Sequence, residues 1–230
     1  EAKKNNKVAI IFGFQNSAPI ANDIFLVEKF FLKGLRFMQL TYNNQTALAG
    51  GCFEIYDSGV SRFGHAVIEE MNRLGMIVDL SHAGKKTCLD AIKLSRKPVA
   101  ISHANPLFFY NSIRNIDDEV LKALSKKDGF IGLSLYPLHL KNHGDCKLND
   151  FCLMIHQLVN MIGIDRIGIG SDLCKNWSND VVMWMRNGKW TKKLDYGESK
   201  TKDSSWPKQP TWFNKGSDFK NIYKGLLKTG

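Results

Sequence analysis

Six times along this chain a short, almost unbroken apolar run is followed by a segment with helical spacing. The runs are Val8–Gly13, Leu35–Tyr42, Met76–His82, Pro98–His103, Phe130–Tyr136 and Arg166–Asp172. Strands buried on both faces look like this, whereas strands with one wet face alternate apolar and polar residues. Between them, Phe63, Val67, Met71 and Leu74 recur at i, i+4, i+8 and i+11, one apolar stripe on a helix. A further helix opens on Asp117, Asp118 and Glu119 and closes on Lys126 and Lys127, with Gly129 available as a cap. Those charges complement a helix dipole at both ends. Asn22–Lys33, Lys85–Ser95 and a segment carrying Phe151, Ile155 and Leu158, stopped near Gly163, complete the helical set. Serial strand–helix units imply an α/β fold with a parallel sheet and right-handed crossovers, either open or closed as a barrel. No glycine-rich phosphate fingerprint follows any of the runs, which removes the best support for nucleotide binding.

After Asp172 the alternation stops. Residues 175–230 read as an irregular closing segment, basic and rich in Trp, with a last short helix near Asp218–Lys228. With 230 residues the whole of 1–230 is expected to form one domain. Lys and Arg number 32 against 22 Asp and Glu, a net +10, and much of the surplus lies in this last quarter beside all five Trp (177, 184, 190, 206 and 212). Basic residues among aromatics can bind single-stranded nucleic acid. No nucleic-acid motif accompanies them, so the reading adopted is a covering segment and no nucleic-acid partner. No apolar run reaches the ~20 residues of a membrane span. Cys52, Cys88, Cys146, Cys152 and Cys174 are odd in number and scattered. Reduced, packed thiols and a cytoplasmic location follow more naturally than a disulfide framework.

The apolar runs end in polar side chains: Gln15 after the first, Tyr42 and Asn43 on the second, His82 and His103 on the third and fourth, Tyr136 on the fifth, Asp172 on the sixth. In a parallel α/β barrel such ends converge on one face, where active sites are built. Two histidines at matching strand ends read as a zinc ligand pair, the bland alternative being two structural imidazoles. Asp172 is a general base or a loop acid; Arg114-Asn115 grips a carboxylate or makes a surface ion pair. His65, His139 and His143 read as structural or surface residues.

Taken together, Gly34–Asn43 (GLRFMQLTYN), Phe63–His82 (FGHAVIEEMNRLGMIVDLSH), Pro98–His103 (PVAISH), Arg114–Glu119 (RNIDDE) and Gly163–Asp172 (GIDRIGIGSD) resemble the membrane dipeptidase family, the M19 metallopeptidases among the amidohydrolase-like barrels. The resemblance runs from about Val8 to the C-terminus. It implies a (β/α)8 barrel of TIM type with two zinc ions and hydrolysis of dipeptides by a metal-activated water. Position by position, it makes His82 and His103 the histidines of one zinc, Asp172 the acid that handles the proton of the attacking water, and Arg114 the binder of the substrate's terminal carboxylate. Asn43, Tyr42 and Tyr136 are taken as further substrate-binding residues.

The chain departs from that pattern in three places. Its first apolar run carries no His-x-Asp, the motif of the family's first strand. Gln15 stands where the family has its bridging glutamate, and a neutral amide bridges two dications poorly. Tyr42 stands where type members carry a substrate-contacting histidine. The expectation is therefore an incomplete barrel of about six of eight units, a fragment holding zero or one zinc through His82, His103 and Gln15. Its substrate is a dipeptide or a similar small molecule, and its unpaired strand edges favour a homodimer. Rival readings are another amidohydrolase-like activity, such as a lactonase or deaminase, and a non-catalytic barrel that has lost its metals.

Overall fold

A computed structural model describes residues 2–174, 178, 180, 181 and 206–229. The chain divides into two compact units, Glu1–Ala100 and Ile101–Gly230.

The first unit runs β1 (Phe12–Phe14), α1 (Phe25–Leu32), β2 (Leu35–Gln39), α2 (Arg62–Leu74), β3 (Ile77–Asp79) and α3 (Lys85–Leu94), and its last residue opens β4 (Ala100–Ala104). β1 pairs with β2 and β2 with β3, both parallel, with Phe14 opposite Met38 and Gln39 opposite Asp79. Asp79 in turn faces Ala100. Helix α2 shows why this sequence folds so locally. Ser61 caps its N-terminus, accepting from the Gly64 N–H through its hydroxyl oxygen at 3.0 Å, and Gly75 ends it in the left-handed conformation at φ 79°. The buried face is centred on Val67, Ile68 and Met71, and Met38, Leu40 and Leu80 are fully buried in the same unit. Each such side chain contributes about 1.5–3 kcal/mol when fully buried.

The strands are shorter than the apolar runs. Val8–Gly13 is not a strand buried on both faces: β1 begins only at Phe12, and Val8 and Ile10 are 90% and 76% exposed. Apolar composition alone cannot distinguish a central strand from one at a sheet edge, and β1 is an edge, hydrogen-bonded to β2 alone among the described strands.

In the second unit β4 neighbours β5 (Phe130–Leu133), which pairs in parallel with β6 (Ile167–Ile169). The helices are α4 (Asp118–Lys126), α5 (Leu148–Ile162) and α6 (Phe219–Thr229). Asp117 caps α4, accepting from the Glu119 N–H at 2.8 Å. Its C-terminal turn differs from expectation, since Asp128 rather than Gly129 takes the left-handed backbone (φ 51°). Gly129 closes the turn by donating to Leu124 O at 2.9 Å. A Cβ on Gly132 would overlap the Ser102 carbonyl, so β5 requires glycine there to lie close against β4. Phe151 on α5 and Phe213 are fully buried, and Trp212 stacks obliquely on Phe151 at 5.3 Å. Trp206 and Trp212 of the closing segment are thus described; Trp177, Trp184 and Trp190 lie outside the described residues. No helix among the described residues is long and apolar enough to cross a membrane.

Candidate functional site

In the first unit the structure gathers Tyr42, Asn43 and His82. None of the three is on a strand: β2 stops at Gln39 and β3 at Asp79, so each belongs to the loop that follows its strand. Asn43 has φ 59°, a left-handed backbone that Asn tolerates better than most residues. The His82 Nδ1 lies 2.6 Å from Asn43 Oδ1. An amide oxygen only accepts, so the contact calls for the proton on Nδ1. Tyr42 stacks on the imidazole with ring centroids 4.1 Å apart and planes 26° from parallel. One loop ties both backbones: Cys52 N donates to His82 O at 3.0 Å and Phe53 N to Asn43 O at 2.8 Å. Gly51 lets that loop approach, because a Cβ there would overlap the Asn43 carbonyl.

A buried polar pair that sequence reasoning missed lies in the same unit. Gln39 and Asp79, 3% and 4% exposed, meet across β2 and β3, where Gln39 Nε2 donates to Asp79 Oδ2 at 3.2 Å. The other carboxylate oxygen accepts from the Ser81 N–H and hydroxyl at 3.1 and 2.7 Å. This Asx turn ends β3 and starts the loop that carries His82. The signal was available in the sequence, since Asp79 is a charge inside the apolar run MIVDLSH, and such a charge stays buried only when paired.

The second unit carries the remaining candidates. His103 is the one that sits on a strand, β4, and its Nδ1 is 2.9 Å from Ser102 Oγ. Arg114 is 3% exposed, which excludes the surface ion-pair reading. The loop that holds Arg114 is built on amides. Asn115 accepts from Asn105 N at 3.2 Å and donates to Tyr110 O and His139 O, while Asn105 Nδ2 donates to Ser134 O and His139 O. Tyr136 is half-buried, its ring edge-on to His139 at 5.0 Å and to Trp206 at 5.4 Å. Asp172 follows β6 by three residues with φ 48°, and Cys174 Sγ donates to its carbonyl at 3.8 Å. Burial, with the Asp172 charge adding to it, pushes the Cys174 thiol up to about 11. Gln15 lies exposed just past β1. Of the histidines read as structural, His139 is buried against Ser134 Oγ at 2.8 Å, His65 sits at the surface 3.8 Å from Glu69, and His143 contacts the Tyr110 hydroxyl. An apolar groove of about 380 Å³ between α5, β6 and α6 contains none of the candidates.

The family model of membrane dipeptidase, peptidase family M19, matches residues 1–179. The chain belongs to the M19 family. A dipeptidase of Aspergillus oryzae is 31% identical over 170 residues, which is 72% of this chain and 40% of the relative. An uncharacterised dipeptidase of Schizosaccharomyces pombe is 30% identical over 176 residues, 74% of this chain and 42% of the relative. These matches therefore span about two fifths of the curated relatives. Among solved structures, an amidohydrolase from Pseudomonas aeruginosa superposes with a TM-score of 0.90 at 34% identity, covering 100% of this chain and 68% of that one. A metallopeptidase of Rhodobacter sphaeroides, liganded with a phosphinate mimic of the dipeptide L-Ala-D-Ala, superposes at 0.75 and 19% identity, covering 96% and 57%. The fold is the α/β barrel type of the M19 and amidohydrolase structures.

M19 proteins are metallopeptidases, and the donors in this member suit a divalent ion. His82 has its Nδ1 engaged by Asn43, and His103 has a hydroxyl at its Nδ1; a partner at one ring nitrogen is what orients an imidazole that binds metal through the other. Neutral imidazole suits zinc. No group of three or more His, Cys, Asp or Glu side chains among the described residues is placed to hold a metal.

Proposed function

We propose that this chain carries the metal- and substrate-binding part of a zinc-dependent dipeptidase that hydrolyses dipeptides or closely similar small amides. The observation that supports it best is the 2.6 Å contact between His82 Nδ1 and Asn43 Oδ1, within a sequence that belongs to the M19 family. His82 and His103 are the residues that would hold zinc, with Gln15 adding a neutral oxygen donor. When bound, zinc supplies Lewis acidity, making a scissile carbonyl more electrophilic and a water more acidic. Asp172 takes the proton from the attacking water as the C–O bond forms and returns it to the leaving nitrogen as the C–N bond breaks. Arg114, buried and planar, pairs with the substrate's terminal carboxylate through two parallel N–H···O bonds. Tyr42, Asn43 and Tyr136 form the surroundings of the side chains. With Gln15 and Tyr42 in place of an acid and a histidine, the chain holds one ion at most, and its preferred substrate differs from an ordinary dipeptide.

Metal analysis of the purified chain, followed by hydrolysis of a dipeptide panel before and after zinc addition, tests this reading. Up to one zinc per chain, with turnover that His82→Ala abolishes, is expected; hydrolysis unaffected by His82→Ala overturns it. The 34% identity to a protein described as an amidohydrolase favours a second reading, hydrolysis of a lactone or deamination, and the same panel extended to lactones separates the two. The exposed Val8, Ile10 and Phe12 favour a homodimer through the β1 edge, which light scattering tests. Five free cysteines accord with a cytoplasmic setting.

A further inference from the structure

We propose that Asn43 is a positioning residue whose side-chain oxygen selects the Nδ1–H tautomer of His82 and so presents Nε2 for coordination. Three observations carry it. Asn43 Oδ1 is 2.6 Å from His82 Nδ1, both residues are buried, and an amide oxygen at that distance admits only a protonated nitrogen opposite it. A free imidazole in water prefers the other neutral tautomer, so the contact imposes a choice that the ring would not make alone. The geometry is also fixed independently of the contact. The loop through Cys52 and Phe53 donates a backbone N–H to the carbonyl of each partner, at 3.0 Å for His82 and 2.8 Å for Asn43. Tyr42, next to Asn43 in sequence, covers the imidazole face, so the ring cannot turn over without breaking the stack.

The left-handed backbone of Asn43 limits what can replace it. At φ 59° Asn, Asp and Gly are the residues that fit with least strain. Among these, Asp keeps an acceptor at the same place, whereas Gly keeps the backbone and removes the acceptor. Asn43→Asp and Asn43→Gly therefore separate the hydrogen bond from the fold. Asn43 thus acts on the reaction through His82, in addition to its place beside the substrate. The tautomer stands on the geometry alone, and its consequence for zinc rests on the function proposed above.

The test uses the full chain with nitrogen-15-labelled histidine and two-bond proton–nitrogen correlation spectra, which report each ring's tautomer without zinc. His82 of the wild type is expected as the Nδ1–H form. Asn43→Asp keeps it, and Asn43→Gly shifts it to a mixture or to the Nε2–H form. Zinc titrated against a chelator should bind Asn43→Gly about 10- to 100-fold more weakly than wild type, the usual effect of losing the hydrogen-bond partner of a metal-binding imidazole. Asn43→Asp should bind at least as tightly as wild type. A wild-type His82 in the Nε2–H form overturns the proposal, whether or not the variants fold. So does a folded Asn43→Gly that keeps both the wild-type tautomer and the wild-type zinc affinity. A chain with the expected tautomers but no affinity for zinc in any variant leaves the tautomer assignment standing and overturns the metallopeptidase reading instead.

Discussion

Gln39 and Asp79, on neighbouring parallel strands, meet through a hydrogen bond of 3.2 Å from Gln39 Nε2 to Asp79 Oδ2. Asp79 also accepts twice from Ser81, so its charge lies buried with donors at both oxygens. Removing the carboxylate strands three donors away from water. Asp79→Ala should destabilise the protein by about 2–3 kcal/mol, the cost of leaving buried polar groups unsatisfied. Asp79→Asn should cost less. It keeps one acceptor for Ser81, and Gln39 Oε1, which has no hydrogen-bond partner, can turn to accept from the new amide N–H. Urea unfolding of both variants measures the difference.

Arg114 is buried, and its proposed task depends on a planar fork rather than on charge alone. Arg114→Lys should lower kcat/KM for dipeptides by roughly 10- to 100-fold, equivalent to about 1.4–2.8 kcal/mol. The loss should fall mainly on KM. With a substrate whose C-terminus is amidated the variant and the wild type should differ little, because no carboxylate remains to be gripped. Steady-state kinetics on the paired substrates check this.

Cys146 and Cys174 should resist alkylation in the folded protein. Burial pushes Cys146 up to about 12, with Asp150 adding to it, and Cys174 up to about 11. A raised thiol is neutral at ordinary pH, so at pH 8 the thiolate fraction is on the order of 0.1% or below. Iodoacetamide labelling followed by mass mapping should find both nearly unmodified at pH 8 and gaining reactivity only as the pH climbs past about 10. In urea both should label at ordinary thiol rates.

Asp218 ties down the entry to α6. Its Oδ2 accepts from the Asn214 and Lys215 N–H groups at 2.9 and 3.0 Å, and the Asn214 backbone bond is the main reason its carboxyl lies below the ordinary value. A carboxyl depressed by folding stabilises the folded form above the unfolded pKa, near 4, and loses that contribution as the pH falls through the folded value. Amide protection factors for the first turn of α6 should therefore decline below about pH 4. In Asp218→Asn that decline should be absent. Hydrogen exchange at a series of pH values checks the difference.

How far the site was legible differs from residue to residue. His82, His103 and Asp172 stood out as polar side chains at the ends of apolar runs, and Arg114 through the resemblance of the RNIDDE stretch. What each of them meets in the fold did not stand out. Asn43 is a candidate at a strand end, but it is one of two adjacent asparagines in Tyr42–Gln45, and nothing in the string marks it as the one facing His82 across 39 positions. Asp79 and Gln39 are 40 residues apart, and their pairing follows from the register of β2 on β3. The Gly51 loop is invisible for the same reason: it touches Asn43 and His82 only once the chain has closed on itself.

The sequence by itself determined the elements and their order. Local chemistry decides those: the cap of Ser61 and the left-handed Gly75 bound α2, Asp117 opens α4, and Gly163 stops α5, all through groups a few residues apart. The tertiary structure alone decided where strands end and which side chains are wet. Val8 and Ile10 have the composition of a central strand and the exposure of an edge. The Met76–His82 run ends its ladder at Asp79 because the carboxylate turns back to Ser81. The tautomer of His82 belongs to the same class. A ring nitrogen's proton is placed by whatever lies opposite it, and that partner is supplied by the fold.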